Sequence, residues 1–86
     1  MPKHYLRVSI MKNIILPELG EGIEGAVVSI WHFAEGDTVK AGDDVVEVVT
    51  DKATFNVPSG ASGIIKKIVR REGETVKIGE VLAEVR

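Results

Sequence analysis

Eighty-six residues, 44% of them hydrophobic, describe one small folding domain rather than a disordered chain. With no cysteine, disulfides and thiolate metal sites are excluded. The net charge is −2, and between Lys12 and Ser59 nine acids face three bases. That balance argues against nucleic acid as a partner, because phosphate binding needs clustered Lys and Arg.

Residues 1–11 are mildly basic and have no clean period, and they are expected to form a disordered extension. A better-patterned segment, residues 12–86, then makes the domain. Asn13 to Leu16 reads as a strand ended by Pro17, which cannot donate to a ladder. Glu18 to Gly25 holds Glu18, Gly20, Glu21, Gly22 and Glu24, a composition that predicts a mobile acidic loop. Gly20-Glu21-Gly22 is not part of a Gly-x-Gly-x-x-Gly run that follows a strand and opens a helix, so a phosphate cradle is not expected.

Ala26 to Phe33 predicts a longer strand, with Trp31 and Phe33 packing in the core or at an edge. Turns follow at Glu35-Gly36-Asp37 and Ala41-Gly42-Asp43, flanking a short strand at Val39. Val45 to Val49 and Thr54 to Val57 are β-branched or aromatic runs separated by Thr50-Asp51-Lys52-Ala53, the pattern of a hairpin with Lys52 at an exposed tip. The plain alternative is an ordinary solvated turn lysine. Ile64 to Arg70 predicts another strand. Lys66, Lys67, Arg70 and Arg71 would be its wet face, and Ile64, Ile65, Ile68 and Val69 its buried side. Thr75 to Lys77 and Val81 to Val85 complete the set, with no helical period anywhere.

An internal repeat governs the topology. Glu35-Gly36-Asp37-Thr38-Val39-Lys40-Ala41-Gly42-Asp43 aligns with Glu72-Gly73-Glu74-Thr75-Val76-Lys77-Ile78-Gly79-Glu80, an offset of 72 − 35 = 37. Upstream, Gly25 to Phe33 matches Gly63 to Arg70 more loosely, one residue out of step. Two similar four-strand halves imply an all-β fold of two sheets related by a quasi-two-fold axis, a small β-sandwich or flattened barrel. Under that repeat the mate of Lys52 falls where the chain ends lie. Lys52 is therefore expected to project from the end of the domain opposite both termini. Gly25, Gly42 and Gly63 are expected to hold positive φ in turns.

Other chemistry finds little support. His4 and His32 have no partner at a metal-ligand spacing, and Asp43-Asp44 is a solvated turn pair rather than an acid–base dyad. No Gly-x-Ser-x-Gly occurs, so neither a catalytic site nor a metal site is expected. No apolar run reaches membrane-spanning length and no signal-peptide core is present. No membrane contact is expected.

Asp51-Lys52-Ala53, the opening Leu16-Pro17-Glu18-Leu19-Gly20-Glu21-Gly22, Glu35-Gly36-Asp37 and Val57-Pro58-Ser59 together resemble a lipoyl domain. The family is that of the acyltransferase (E2) component of 2-oxo acid dehydrogenase complexes, and the likeness covers Lys12 to Arg86. The resemblance implies a fold of two four-stranded antiparallel sheets, and lipoate amide-linked to Lys52 by a ligase or transferase that reads Thr50, Asp51 and Ala53. It further implies a monomeric carrier that takes an acyl group from an E1 decarboxylase to the E2 catalytic domain, with a flavoprotein, E3, reoxidising the dithiol. The loop Glu18 to Gly25 would lie near the lysine and help E1 recognise the domain. Gly42 and Gly63 match the glycines that bracket the lysine in the family. A biotin carrier shares the fold, but its lysine is flanked by methionines, and here Asp51 and Ala53 stand there instead. An unmodified β-sandwich adaptor is the third reading.

Overall fold

The computed structural model describes residues 12–86, and every regular element in that span is a strand. The extension expected at residues 1–11 lies outside the described residues. The strands are β1 (Lys12–Ile15), β2 (Gly25–Trp31), β3 (Thr38–Val39), β4 (Asp44–Val49), β5 (Thr54–Pro58), β6 (Gly63–Ile68), β7 (Thr75–Lys77) and β8 (Val81–Val85). They form two four-stranded sheets of order β1-β8-β6-β3 and β5-β4-β2-β7, with all pairs antiparallel. Val28, Val45, Val46, Val48, Ile65, Val76, Leu82 and Val85 fill the space between them and are almost wholly buried. This is the flattened barrel-sandwich that the repeat implies. Among the described residues no helix is long and apolar enough to cross a membrane.

The two-fold relation holds residue by residue. Shifting by 37 carries β2, β3 and β4 onto β6, β7 and β8, and matching β1 with β5 turns one sheet order into the other. Val28 pairs with Val48 and Ile30 with Glu47, with a bulge between. Their mates do the same: Ile65 pairs with Val85 and Lys67 with Glu84, again with a bulge between. Thr75 pairs with Val27 and Thr38 with Ile64, so Val27 and Ile64 are equivalent. The upstream alignment therefore also runs at 37, and the Gly25–Gly63 match in the sequence is one residue out. Gly63 is the mate of Ala26, and the two glycines are needed for separate reasons.

Bulges also settle which side chains face inward. Val45 and Val46 are neighbours yet both fully buried, because the register slips between Asp44 and Val46. In β6 the slip between Ile65 and Lys67 leaves Lys66 and Lys67 both exposed. Ile64, expected on the buried side, is 46% exposed, whereas Ile65 and Ile68 are buried as expected. Trp31 and Phe33 pack against the core from its edge, and the Trp31 indole N–H donates to the Arg70 carbonyl at 2.8 Å.

The repeated acids turn out to be turn-closing groups. Asp37 accepts the Ala34 N–H at 2.8 Å, and its mate Glu74 accepts the Arg71 N–H at 2.7 Å. Asp43 accepts from Lys40 at 2.9 Å, and its mate Glu80 accepts from Lys77 at 2.8 Å. Each satisfies a backbone donor that the turn would otherwise leave to water.

Glu72 is held below the ordinary glutamate range, chiefly by its own backbone N–H, then by the Trp31 N–H at 3.2 Å and the charge of Arg71. A carboxylate lowered in this way stabilises the fold above its unfolded pKa, and the benefit is lost as pH falls through the folded value. Glu72→Gln is expected to lower Tm slightly at neutral pH. Melting curves taken at successively lower pH should show the difference from wild type closing below the ordinary glutamate range.

Of the three glycines expected at positive φ, Gly42 has φ +96° and Gly63 φ +156°. Gly25 does not have positive φ. It is required because a Cβ there would sit 2.7 Å from the Val76 carbonyl oxygen.

Candidate functional site

The β4–β5 hairpin closes its ladder at Val49–Thr54 and leaves Thr50, Asp51, Lys52 and Ala53 as its tip. One side chain organises that tip. The Thr50 hydroxyl accepts the N–H of Lys52 and of Ala53, each at 3.1 Å, and donates to the Ala53 carbonyl at 3.1 Å. The Thr50 N–H donates to the same carbonyl at 2.9 Å. No non-glycine residue among those described has positive φ, so the turn does without the left-handed residues of the tightest hairpins. Thr50, expected only as a recognition residue, thus has a structural role. The signal was available in the sequence, since a threonine opening a short loop bonds backbone two and three residues ahead. Thr50→Val should cost about 0.5–1.5 kcal/mol, and Thr50→Ser should restore the loss; thermal melting checks this.

Asp51, Lys52 and Ala53 are all exposed. The two ion pairs among the described residues, Arg70–Glu80 and Arg71–Glu35, leave Lys52 out. Exposure alone does not single it out, because Lys12, Lys40, Lys66, Lys67 and Lys77 are exposed too. Its position does. Lys12, Lys66, Lys67 and Lys77 lie on strands, and Lys40 stands in the acid-closed turn after β3. Among the described lysines only Lys52 occupies a hairpin tip.

The acidic loop reaches that tip. It is pinned at both bases: Leu16 N–H to Glu80 O at 3.0 Å, Gly79 N–H to Leu16 O at 2.8 Å, and Ile78 N–H to Glu24 O at 3.0 Å. Leu19 packs against the core. The loop is thus anchored at its two bases, with Gly20-Glu21-Gly22 exposed between them. A Cβ added at Gly22 would lie 3.8 Å from the Lys52 Nζ. Glu18, Glu21 and Glu24 are exposed on the same loop.

Lys52 lies apart from Lys12 and Arg86, the two ends of the described span. Lys12 pairs with Val85, and Arg86 exchanges backbone bonds with Ile64. Gly63 pairs with Val39, the Ser62 hydroxyl accepts from Ala41, and Ser59 bonds Gly42 and Asp43. These contacts lead to Asp44, the first residue of β4. Lys52 lies beyond the other end of that strand, about 17 Å further on at the rise of an extended chain.

A family model described as "Biotin-requiring enzyme" matches residues 12–85. The solved lipoyl domain of the 2-oxoglutarate dehydrogenase complex from Azotobacter vinelandii is 36% identical, with a TM-score of 0.68, over 86% of this chain and 94% of that one. The chain belongs to the lipoyl-domain family. Members of that family hold lipoate covalently on a lysine, and this lipoyl domain is a carrier of the same kind. It is 39% identical, over 85% of its length, to the dihydrolipoyllysine-residue succinyltransferase component of the 2-oxoglutarate dehydrogenase complex of Haemophilus influenzae. It is 36% identical, over 87% of its length, to the lipoamide acyltransferase component of the branched-chain alpha-keto acid dehydrogenase complex of Bacillus subtilis. The lipoyl domain spans 18% of the length of each of these curated relatives. An exposed hairpin amine without a carboxylate partner among the described residues fits amide attachment of such a group.

Proposed function

We propose that Lys52 is the lysine of this lipoyl domain that carries lipoate, and that the domain is part of an E2 acyltransferase. The observation that carries the reading is the hairpin: one exposed lysine whose backbone N–H is held at a tip by the Thr50 hydroxyl, on the far side of β4 from Lys12 and Arg86. Asp51 and Ala53 flank it in the open, where a lipoate ligase or transferase can read them. That enzyme joins the Lys52 Nζ to an activated lipoyl carboxyl carbon; the amine gives up a proton and the activating group departs. When bound, lipoate supplies a dithiolane that takes up and releases acyl groups and electrons. The chain's own residues present it to successive partners: an E1 decarboxylase, the E2 catalytic domain and E3. Tethering turns those encounters into local ones, at effective concentrations on the order of mM.

The loop beside Lys52 is the surface E1 would read. Gly22 approaches the amine, and Glu18, Glu21 and Glu24 mark the loop with negative charge. The two-fold mate of this loop is much shorter, because Pro17 to Glu24 corresponds only to Gly60 and Ala61. The extra residues stand at the lysine end. The domain would work where such complexes do, in the prokaryotic cytoplasm or the mitochondrial matrix.

The test is acyl loading. Lipoylated domain incubated with a bacterial 2-oxoglutarate E1 or a branched-chain E1, each with its own 2-oxo acid, should gain the mass of the corresponding acyl group. The E1 that loads it faster identifies the complex. No acyl gain with either, on domain shown to be lipoylated, would refute carriage for these two complexes.

A further inference from the structure

Beside the Lys52 tip, on the outer face of the β5-β4-β2-β7 sheet, runs an open groove of about 520 Å³. Its walls include Val27, Ser29, Val49, Thr50, Asp51 and Thr75. Val27 and Val49 are cross-strand partners, and they remain 42% and 37% exposed. Side by side on a strand pair, they offer adjoining apolar area that a ligand's carbon chain would gain by covering.

The repeat supplies an internal control. At the opposite end of the domain the equivalent positions are Ile64 for Val27, Lys66 for Ser29, Arg86 for Val49 and Thr38 for Thr75. There the same surface carries two cations. The fold does not demand an apolar groove, and the apolar version stands at the lysine end.

The groove also begins at the tether. Thr50 and Asp51, which line it, are the two residues before Lys52. Val49 is three residues back, at most about 10 Å along an extended chain. Val27 lies about 5 Å beyond, across the ladder. A group whose carbon chain continues past the lysine stem reaches both.

We infer that this groove is a resting site for the lipoyl group of Lys52, with the carbon chain and dithiolane ring lying over Val27 and Val49 between visits to partner enzymes. The inference rests on the assignment of lipoate to Lys52. Resting there covers apolar surface of both the arm and the sheet. It also keeps the ring from bulk solvent, and the contact is weak enough to be exchanged for a partner's active site.

The test compares unmodified and lipoylated chain by methyl NMR, after intact mass and peptide mapping have established one lipoyl group on Lys52. Methyl resonances of Val27 and Val49 should move on lipoylation and show through-space contacts to the arm, whereas those of Ile64 should not. In V27K, an exposed substitution that should leave the fold intact, those contacts should vanish. Reduction of the dithiolane by a water-soluble phosphine should then accelerate roughly two- to five-fold, as when a half- to four-fifths-populated contact is released. Lipoylated wild type with methyl shifts confined to Ala53, or an unchanged reduction rate in V27K, overturns the resting site and leaves the carrier assignment standing. No lipoyl group on Lys52 overturns both.

Discussion

Lys52→Arg is expected to abolish lipoylation while melting within about 3 °C of wild type, the range for an exposed substitution in a domain of this size. The side chain is exposed and takes part in neither ion pair among the described residues. Its backbone N–H, bonded to the Thr50 hydroxyl, survives the change. Arginine preserves charge and length but offers a delocalised guanidinium that stays protonated and is a poor nucleophile toward an acyl donor. Chemistry and stability should therefore separate completely in this variant. A fall in Tm of about 10 °C or more would mean that the tip holds the fold together, and Lys52 would then be a structural residue.

Gly63→Ala should show the converse: a large loss of stability at a position far from the lysine. A Cβ at Gly63 would run into the Arg86 carbonyl oxygen and lie 2.9 Å from Val85 Cγ1, with φ at +156°. The oxygen cannot simply move aside, because it accepts the Ile64 N–H at 2.9 Å and closes the β6–β8 edge. Overpacking of this kind costs about 2–3 kcal/mol, which for a domain of this size lowers Tm by roughly 10–20 °C. Gly42→Ala is the matched comparison. Its φ of +96° penalises a side chain, but nothing lies within 4 Å of the added carbon, so the cost should be only about 1–2 kcal/mol. Equal melting of the two variants would show that backbone conformation, and not close approach, governs both sites.

Much of this was legible in the sequence because the repeat constrains topology strongly. Once Glu35-Gly36-Asp37 and Glu72-Gly73-Glu74 are aligned, two equivalent sheets follow, and the strand orders β1-β8-β6-β3 and β5-β4-β2-β7 have that relation. The strand runs at Val45 to Val49 and Val81 to Val85 were readable from β-branched composition alone.

What escaped the sequence depends on contacts between strands. The bulge between Ile65 and Lys67 is fixed by pairing with β8, and a pattern of four apolar residues cannot reveal that Ile64 turns outward. Gly25 reads like any turn glycine, yet its constraint comes from the Val76 carbonyl of another strand. The acidic loop looked free because its anchors, Glu80, Gly79 and Ile78, lie more than fifty residues away. Thr50 was legible in principle, but its proximity to Lys52 drew attention to recognition rather than to turn geometry. Val27 and Val49 have the β-branched composition of any strand, and only the fold shows that both face solvent on one sheet surface.

Wild-type domain incubated with lipoate, ATP and a lipoate ligase, then digested and sequenced by tandem mass spectrometry, tests the central claim most directly. Six described lysines are exposed and compete on equal terms for a purely chemical acylation. A single lipoyl group on Lys52, with Lys12, Lys40, Lys66, Lys67 and Lys77 unmodified, is the predicted result. Lipoate on another lysine, or on none, would contradict the account.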